Sequence, residues 1–308
     1  LYWIQTDHKP KETQKMRMND LIEKNERPIV SFEFFPPRDE QAAEKLNIVI
    51  DGLAALNPDF VSVTFGAGGS TREGSYQLAH KLIHEKGLDV ITYFAGYGLG
   101  PNDITSVLDR YAKLGVETLF VVRGDKPRTT DGITPHPESF QHASQLLDFI
   151  TQRYAFCLGA AGYPEGHPEA PSRKKDLEYL RLKVDNNAKF IIAQYCYDTE
   201  SFFDFVERAR AIGITVPIIP GIMPIYSVKL MEGLAKVCGA TIPKVVRDKL
   251  AQLPQDDPKA CVNYGIDFAT SQCRDLLKHG VDGLHFYTMD RSNTIIEVVN
   301  RLREEGLL

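Results

Sequence analysis

Glu33 stands in the run Pro28-Ile29-Val30-Ser31-Phe32-Glu33-Phe34-Phe35-Pro36-Pro37. The run reads as a short buried strand stopped by two prolines, which lack the N–H that a sheet interior needs. Side chains alternate faces along a strand, so Val30, Phe32 and Phe34 share one face and Ser31, Glu33 and Phe35 the other. A carboxylate among such neighbours must find a partner, change its proton affinity, or serve chemistry. A structural ion pair is the plain alternative, and the other strand ends bear on the choice. Ser62 and Thr64 lie opposite Val61 and Val63, Gln194 opposite Ile191, and His285 and Tyr287 opposite Leu284 and Phe286; a further strand runs into Arg123-Gly124-Asp125. Two carboxylates, an arginine, hydroxyls and an amide late in their strands and on one parity are expected to line one pocket. Such groups suit acid–base work and the binding of a polar ligand.

Other chemistries find less support. His80 and His84 stand at i, i+4 on a helical stretch and could hold a metal, but that helix leads into a strand rather than out of one, so a surface or packing role is expected. No metal site is assigned. His167, in Tyr163-Pro164-Glu165-Gly166-His167-Pro168, follows a strand and is the better ligand contact. No serine sits in a nucleophile elbow, and none of the five cysteines (Cys157, Cys196, Cys238, Cys261, Cys273) forms a C-x-x-C pair or a defensible Cys–His arrangement. The loop Gly66-Ala67-Gly68-Gly69-Ser70-Thr71 opens a helix and could turn backbone N–H groups to a phosphate, or be only a flexible connection. Lys174, Lys175, Arg181 and Lys183 read either as a solvated helix face or as a clamp on pyrophosphate.

These groups need a scaffold. A chain of 308 residues can bury a large core as one barrel or two ordinary domains. Apolar residues are 43%, charged residues 25% and the net charge −5, which gives no electrostatic case for nucleic acid. No apolar run approaches the ~20 residues of a membrane span. The opening segment is polar and charged, so no signal peptide is expected and a reducing cytoplasm is the default. Leu1 is not an initiator Met, so residues before it are expected to be missing or removed.

From Ile29 onward a short apolar strand, a polar or Gly-rich loop and an amphipathic helix recur. Strands are predicted at 29–35, 60–64, 89–94, 118–122, 156–161, 190–194, 216–221 and 283–286. Helices are predicted at 40–56, 73–86, 103–114, 139–152, 173–186, 200–212, 228–238 and 293–303, with two more at 243–253 and 258–279. Eight strands alternating with helices over ~250 residues give an α/β fold, a (β/α)8 TIM barrel with extra helices before the last strand. A doubly wound sheet is the alternative, but Pro36-Pro37 stands where its glycine fingerprint would be. Residues 1–27 are expected to be a polar segment with a short helix at 16–25 outside the core. Residues 28–308 are expected to be the single catalytic domain.

Taken together, these residues resemble the methylenetetrahydrofolate reductase family. The resemblance rests on Ser31-Phe32-Glu33-Phe34-Phe35-Pro36-Pro37, Ser62-Val63-Thr64-Phe65-Gly66-Ala67, Arg123-Gly124-Asp125, Tyr163 to Glu169, Gln194, Ile219-Pro220-Gly221-Ile222-Met223-Pro224 and His285-Phe286-Tyr287-Thr288. It implies an FAD-binding (β/α)8 barrel of bacterial type, catalytic domain only, without the C-terminal regulatory domain of eukaryotic forms. It further implies a cytoplasmic homo-oligomer and a ping-pong cycle. NADH or NADPH reduces FAD, and 5,10-methylenetetrahydrofolate then takes hydride to become 5-methyltetrahydrofolate.

By the same resemblance Glu33 is the general acid that protonates the departing folate nitrogen, and Asp125 favours the cationic iminium. Thr64, Asp125, Gln194, Tyr287 and Arg291 contact substrate, Arg291 through the glutamyl carboxylate. Flavin contacts fall on Thr64, Phe65, Ala67, Tyr93, Arg123, Gly124 and Asp125, and on Ala143, Tyr163, His167, Asp176, Tyr179 and Lys183. The chain departs from the family pattern at Tyr93, which stands for a histidine, at Leu182, which stands for a basic residue, and at Ala193, Leu230 and Leu234. Two alternatives accompany these departures: a flavin-free relative passing hydride directly from nicotinamide to folate, and a non-catalytic folate-binding barrel.

Overall fold

The computed structural model describes residues 17–24, 26–65, 69–124, 134–254 and 257–308. After helix α1 (Met18–Lys24), the strand β1 (Ile29–Phe34) sets the plan of the molecule. Val30, Phe32 and Phe34 enter the apolar layer between sheet and helices, while Ile29 joins a second cluster inside the sheet. The same division holds for β2 (Phe60–Val63), β3 (Val90–Ala95), β4 (Thr118–Val122), β5 (Cys157–Gly162), β6 (Ala188–Ala193), β7 (Ile218–Ile222) and β8 (Gly283–Tyr287). Each strand pairs in parallel with the next, and β8 returns to β1 to close an eight-stranded barrel. The predicted (β/α)8 barrel is the observed fold.

The helices face the barrel through stripes spaced for an α-helix. In α2 (Glu40–Ala54) the buried residues are Leu46, Ile50 and Leu53, and the Asp39 carboxylate caps the helix by accepting the Ala42 N–H at 2.8 Å. Around the barrel follow α3 (Gly69–His84), α4 (Pro101–Leu114), α5 (Ala143–Thr151), α6 (Arg173–Asp185), α7 (Thr199–Ala211) and α8 (Val228–Cys238). The predicted extra helices are α9 (Lys244–Ala251) and α10 (Pro258–Lys278), the latter packed on α11 (Asn293–Glu304). None of the described helices is long and apolar enough to cross a membrane.

One expectation is corrected. Helix α1 does not lie outside the core: Met18 and Leu21 are buried, and with Ile22 they pack onto Ile29, Phe60, Ile91 and Phe120 at the start of the lumen. The Met18 N–H also donates to Thr118 Oγ1 at 3.2 Å. Three apolar residues at i, i+3 and i+4 form a stripe that the polar average of residues 1–27 conceals.

Candidate active site

The interior of the barrel is apolar at its base and polar towards the C-terminal strand ends. Phe60, Ile91, Phe120, Phe190, Ile192 and Ile219 fill the lower layers. Above them Glu33 pairs in register with Ser62 on β2 and Tyr287 on β8, and Ser31 pairs with His285. Glu33 is 3% exposed and its Oε2 has no hydrogen-bond partner. His285 Nε2 lies 3.9 Å from that oxygen, too far for a hydrogen bond. The ring is held from its other side, with Nδ1 2.8 Å from Ser31 Oγ. Ser31 Oγ also lies 3.2 Å from the Leu284 carbonyl oxygen.

The turn after β8 fixes this end of the barrel. Thr288 Oγ1 donates to the Glu33 carbonyl at 2.6 Å, and Asp290 Oδ1 accepts the Phe35 N–H at 3.3 Å. Met289 and Asp290 both take left-handed φ, 48° and 51°, a strained choice for residues with side chains. Those bonds tie β8 to β1 on either side of the buried carboxyl.

Two adjoining hollows open over the strand ends. The first, about 400 Å³, has Glu33, Tyr93, Gln194 and Tyr287 as polar lining, with Phe120, Met223, Leu234 and Met289 among its apolar walls. The second, about 340 Å³, is bounded by Ala143, Asp176, Tyr179, Leu182 and Lys183. Val122, Arg123, Ala161, Tyr163 and His167 border both, so one elongated ligand could span them. Burial pulls the Lys183 amine down to about 8, with Asp176 opposing the shift, and its Nζ donates to the Ala161 carbonyl at 2.9 Å. Burial raises the Asp176 carboxyl, against the His167 N–H that it accepts at 3.1 Å. Burial also lowers the His167 imidazole. Arg123 reaches outward to Glu169, 2.6 Å away.

The predicted site residues divide into three groups. Glu33, Tyr93, Arg123, Gly124, Tyr163, His167, Gln194 and Tyr287 line the first hollow; Ala143, Asp176, Tyr179 and Lys183 line the second. Gly124 has φ of 87°, which favours glycine. Thr64, Phe65 and Arg291 border neither hollow. Phe65 packs its ring on Phe94 at 5.3 Å, and exposed Arg291 sets its guanidinium 5.3 Å from the Tyr226 ring centre. Ala67 and Asp125 lie outside the described residues. Of Lys174, Lys175, Arg181 and Lys183, Lys183 alone lines the second hollow, while Lys175 pairs with Glu178 and Arg181 with Asp185. His80 and His84 are exposed with rings 4.6 Å apart, and no group of three metal-ligating side chains occurs among the described residues.

Sequence reasoning missed Tyr195, Met223, Cys238 and Met289 in the first hollow, and the Thr288 and Asp290 latch. For all but Cys238, which ends α8, position just beyond a strand end was the one available signal.

The donor set suits a dinucleotide. Arg123 and Lys183 offer positive charge to phosphates, while Ala143, Tyr179 and Leu182 offer apolar walls beside them. Glu33, Ser62 and Tyr93 present unpartnered polar atoms deeper in. FAD therefore fits the residues present.

Residues 17–303 match the sequence profile of methylenetetrahydrofolate reductase. The chain belongs to that family. Among relatives of this reductase family, "Methylenetetrahydrofolate reductase (NADH) 1" of Arabidopsis thaliana is 34% identical over 88% of this chain and 48% of its own length. A "Probable methylenetetrahydrofolate reductase (NADPH)" of Caenorhabditis elegans is 33% identical over 93% of this chain and 44% of its own. The chain thus spans about half the length of the curated relatives it matches. Among solved structures, a Clostridium thermocellum protein that binds two copies of 5-methyl-5,6,7,8-tetrahydrofolic acid has a TM-score of 0.63, covering 93% of this chain and 97% of its own. Its 17% identity shows a shared fold alone.

Proposed function

We propose that this chain reduces 5,10-methylenetetrahydrofolate to 5-methyltetrahydrofolate with NADH or NADPH, by a ping-pong route through bound FAD. Membership of the reductase family supports the reaction class, and relatives named for NADH and for NADPH support a reduced nicotinamide as donor. The observation that carries the reading is Glu33, a buried carboxyl with one unpartnered oxygen on a hollow that Gln194 and Tyr287 also line.

FAD, when bound, accepts hydride from the nicotinamide and delivers it to the folate. Arg123 and Lys183 would hold its phosphates, and Ala143, Tyr163, His167, Asp176 and Tyr179 would line its path. Glu33 supplies the proton that the folate needs. The five-membered ring opens to an iminium when the departing nitrogen takes that proton and keeps the electron pair of its broken C–N bond. Glu33 is buried and keeps one oxygen unpartnered, so that oxygen can meet the substrate nitrogen. Gln194 and Tyr287 orient the pterin, and Asp125 would supply negative charge to the iminium. Arg291, exposed and outside both hollows, would pair with a glutamyl carboxylate that trails out of the barrel.

An absorbance spectrum followed by anaerobic titration tests the whole scheme. The expected result is a flavin band that bleaches with nicotinamide and recovers on adding methylenetetrahydrofolate. Glu33→Gln should keep the bleaching and lose the recovery by a factor of at least about 10²; equal loss in both halves would make Glu33 structural. A second reading, direct hydride transfer from nicotinamide to folate, draws on Tyr93, whose ring stands in the lumen 4.6 Å from that of Phe120. A colourless protein that still oxidises nicotinamide with folate would favour it.

A further inference from the structure

Four buried polar atoms beneath the first hollow have no hydrogen-bond partner: Glu33 Oε2, Ser62 Oγ, Tyr93 OH and His285 Nε2. Such orphans are rare in a folded interior, and they cluster here around one carboxyl. The groups facing Glu33 are His285 and Tyr287 from β8, Tyr93 from β3, Ser62 from β2, and Asp290 from the turn beyond β8. Each can be asked what it does when the carboxyl has lost its proton.

His285 Nε2 stands 3.9 Å from Glu33 Oε2, beyond hydrogen-bond reach, and its ring is held at Nδ1 by Ser31. Asp290 is an acceptor and is engaged with the Phe35 N–H. The Tyr287 hydroxyl is directed at the Ala193 carbonyl, 3.4 Å away. Tyr93 is left. Its hydroxyl interacts with both Glu33 and Ser62, yet neither contact has the geometry of a hydrogen bond. Burial, and after it the Glu33 charge, hold the phenol well above its usual range, so it keeps its proton at any working pH. A neutral phenol has one proton to give and lone pairs to receive; Ser62 likewise has one proton free to give. The order that satisfies all three is Ser62 O–H to Tyr93 oxygen, and Tyr93 O–H to Glu33.

We propose that Tyr93 is a positioning residue, the hydrogen-bond donor to Glu33 in its carboxylate form, with Ser62 orienting its hydroxyl. This rests on the reading of Glu33 as the proton donor. The bond is not made in the structure, where both groups lack a partner. It forms once the proton has gone to the substrate nitrogen, favouring the proton transfer while Tyr93 remains protonated. A bond made to the charged form alone makes the acid stronger, and losing it should make the acid weaker.

The test is an infrared pH titration of the whole chain without ligand. The carboxyl band that disappears in Glu33→Gln belongs to Glu33. In Tyr93→Phe its midpoint should move up by about one pH unit, a tenfold change in the ionisation equilibrium. The pH profile of folate reduction should move the same way. Ser62→Ala, which leaves the ring in place, should give a smaller upward shift and covers the case in which Tyr93→Phe does not fold. A Glu33 midpoint unchanged in the folded variants overturns the proposal, since a ring that only fills the lumen would not move it. The infrared readout needs no turnover: a shifted midpoint in a protein that reduces no folate would keep the Tyr93–Glu33 bond and defeat the reductase reading instead.

Discussion

Lys183 shows what burial does to one residue. Its neighbours on α6 carry their charge in exposed pairs, whereas Lys183 points back to the barrel and donates to the Ala161 carbonyl. Burial lowers its amine to about 8 from the usual 10.5. An unfolded chain therefore binds the extra proton between those values, so stability should rise as pH climbs from about 8 to 10.5, while below 8 the cost of the buried charge is fully present. A phosphate group in the second hollow reverses the preference by favouring the ammonium form. Flavin affinity should then fall as pH rises through about 8, with proton uptake on binding; fluorescence titration at pH 7, 8 and 9 reads it. Lys183→Met should weaken binding about tenfold at pH 7 and flatten the pH dependence. If the dependence persists in that variant, another group carries it. Sequence marked the basic cluster but could not say which member turns inward, because a helix with five cations shows no face until its neighbours are placed.

At the scale of elements, strands hold the site through what they leave out as much as through what they carry. Gly221 lies on β7, paired directly with β8, and a Cβ there would run into the Ala193 carbonyl oxygen and the Tyr287 ring. The glycine is what allows Tyr287 to stand beside Glu33. Gly221→Ala should cost on the order of 1–3 kcal/mol by overpacking, because one obstacle is backbone and cannot swing away. It should also displace Tyr287 and slow folate reduction more than flavin reduction. A urea melt and the two half-reactions measure both, and unchanged half-reactions would mean that the tyrosine relaxes without consequence. Alternation made much of this legible: Ser62, Gln194, His285 and Tyr287 were assigned to one face from parity alone, and the register places Ser62 and Tyr287 on either side of Glu33. Parity has no purchase beyond a strand end. Thr288, Met289 and Asp290 depend on a left-handed turn, and Cys238 reaches the hollow from α8, so neither had a period to betray it.

The whole barrel separates two tasks by end, stability at the base and chemistry at the top. Helix α1 closes the base, with Met18 2% and Leu21 6% exposed against the lowest lumen residues, and Arg17 lies 3.7 Å from Glu117 beside it. The hollows lie at the opposite strand ends, beyond layers of Phe60, Ile91, Phe120 and Phe190. Close packing transmits volume changes locally, and distant sites with no shared partners contribute additively. Met18→Ala and Leu21→Ala should each destabilise the fold by about 2–5 kcal/mol, the range for a truncated core side chain. Neither should change flavin affinity, nor the pH profile set by Glu33, by more than the ~0.5 kcal/mol that independent sites allow. Chemical denaturation and ligand titration on the same samples decide the matter. Should affinity fall in step with stability, Phe120 is the residue to suspect. It belongs to the lumen cluster that α1 closes and to the lining of the first hollow, and its ring meets that of Tyr93.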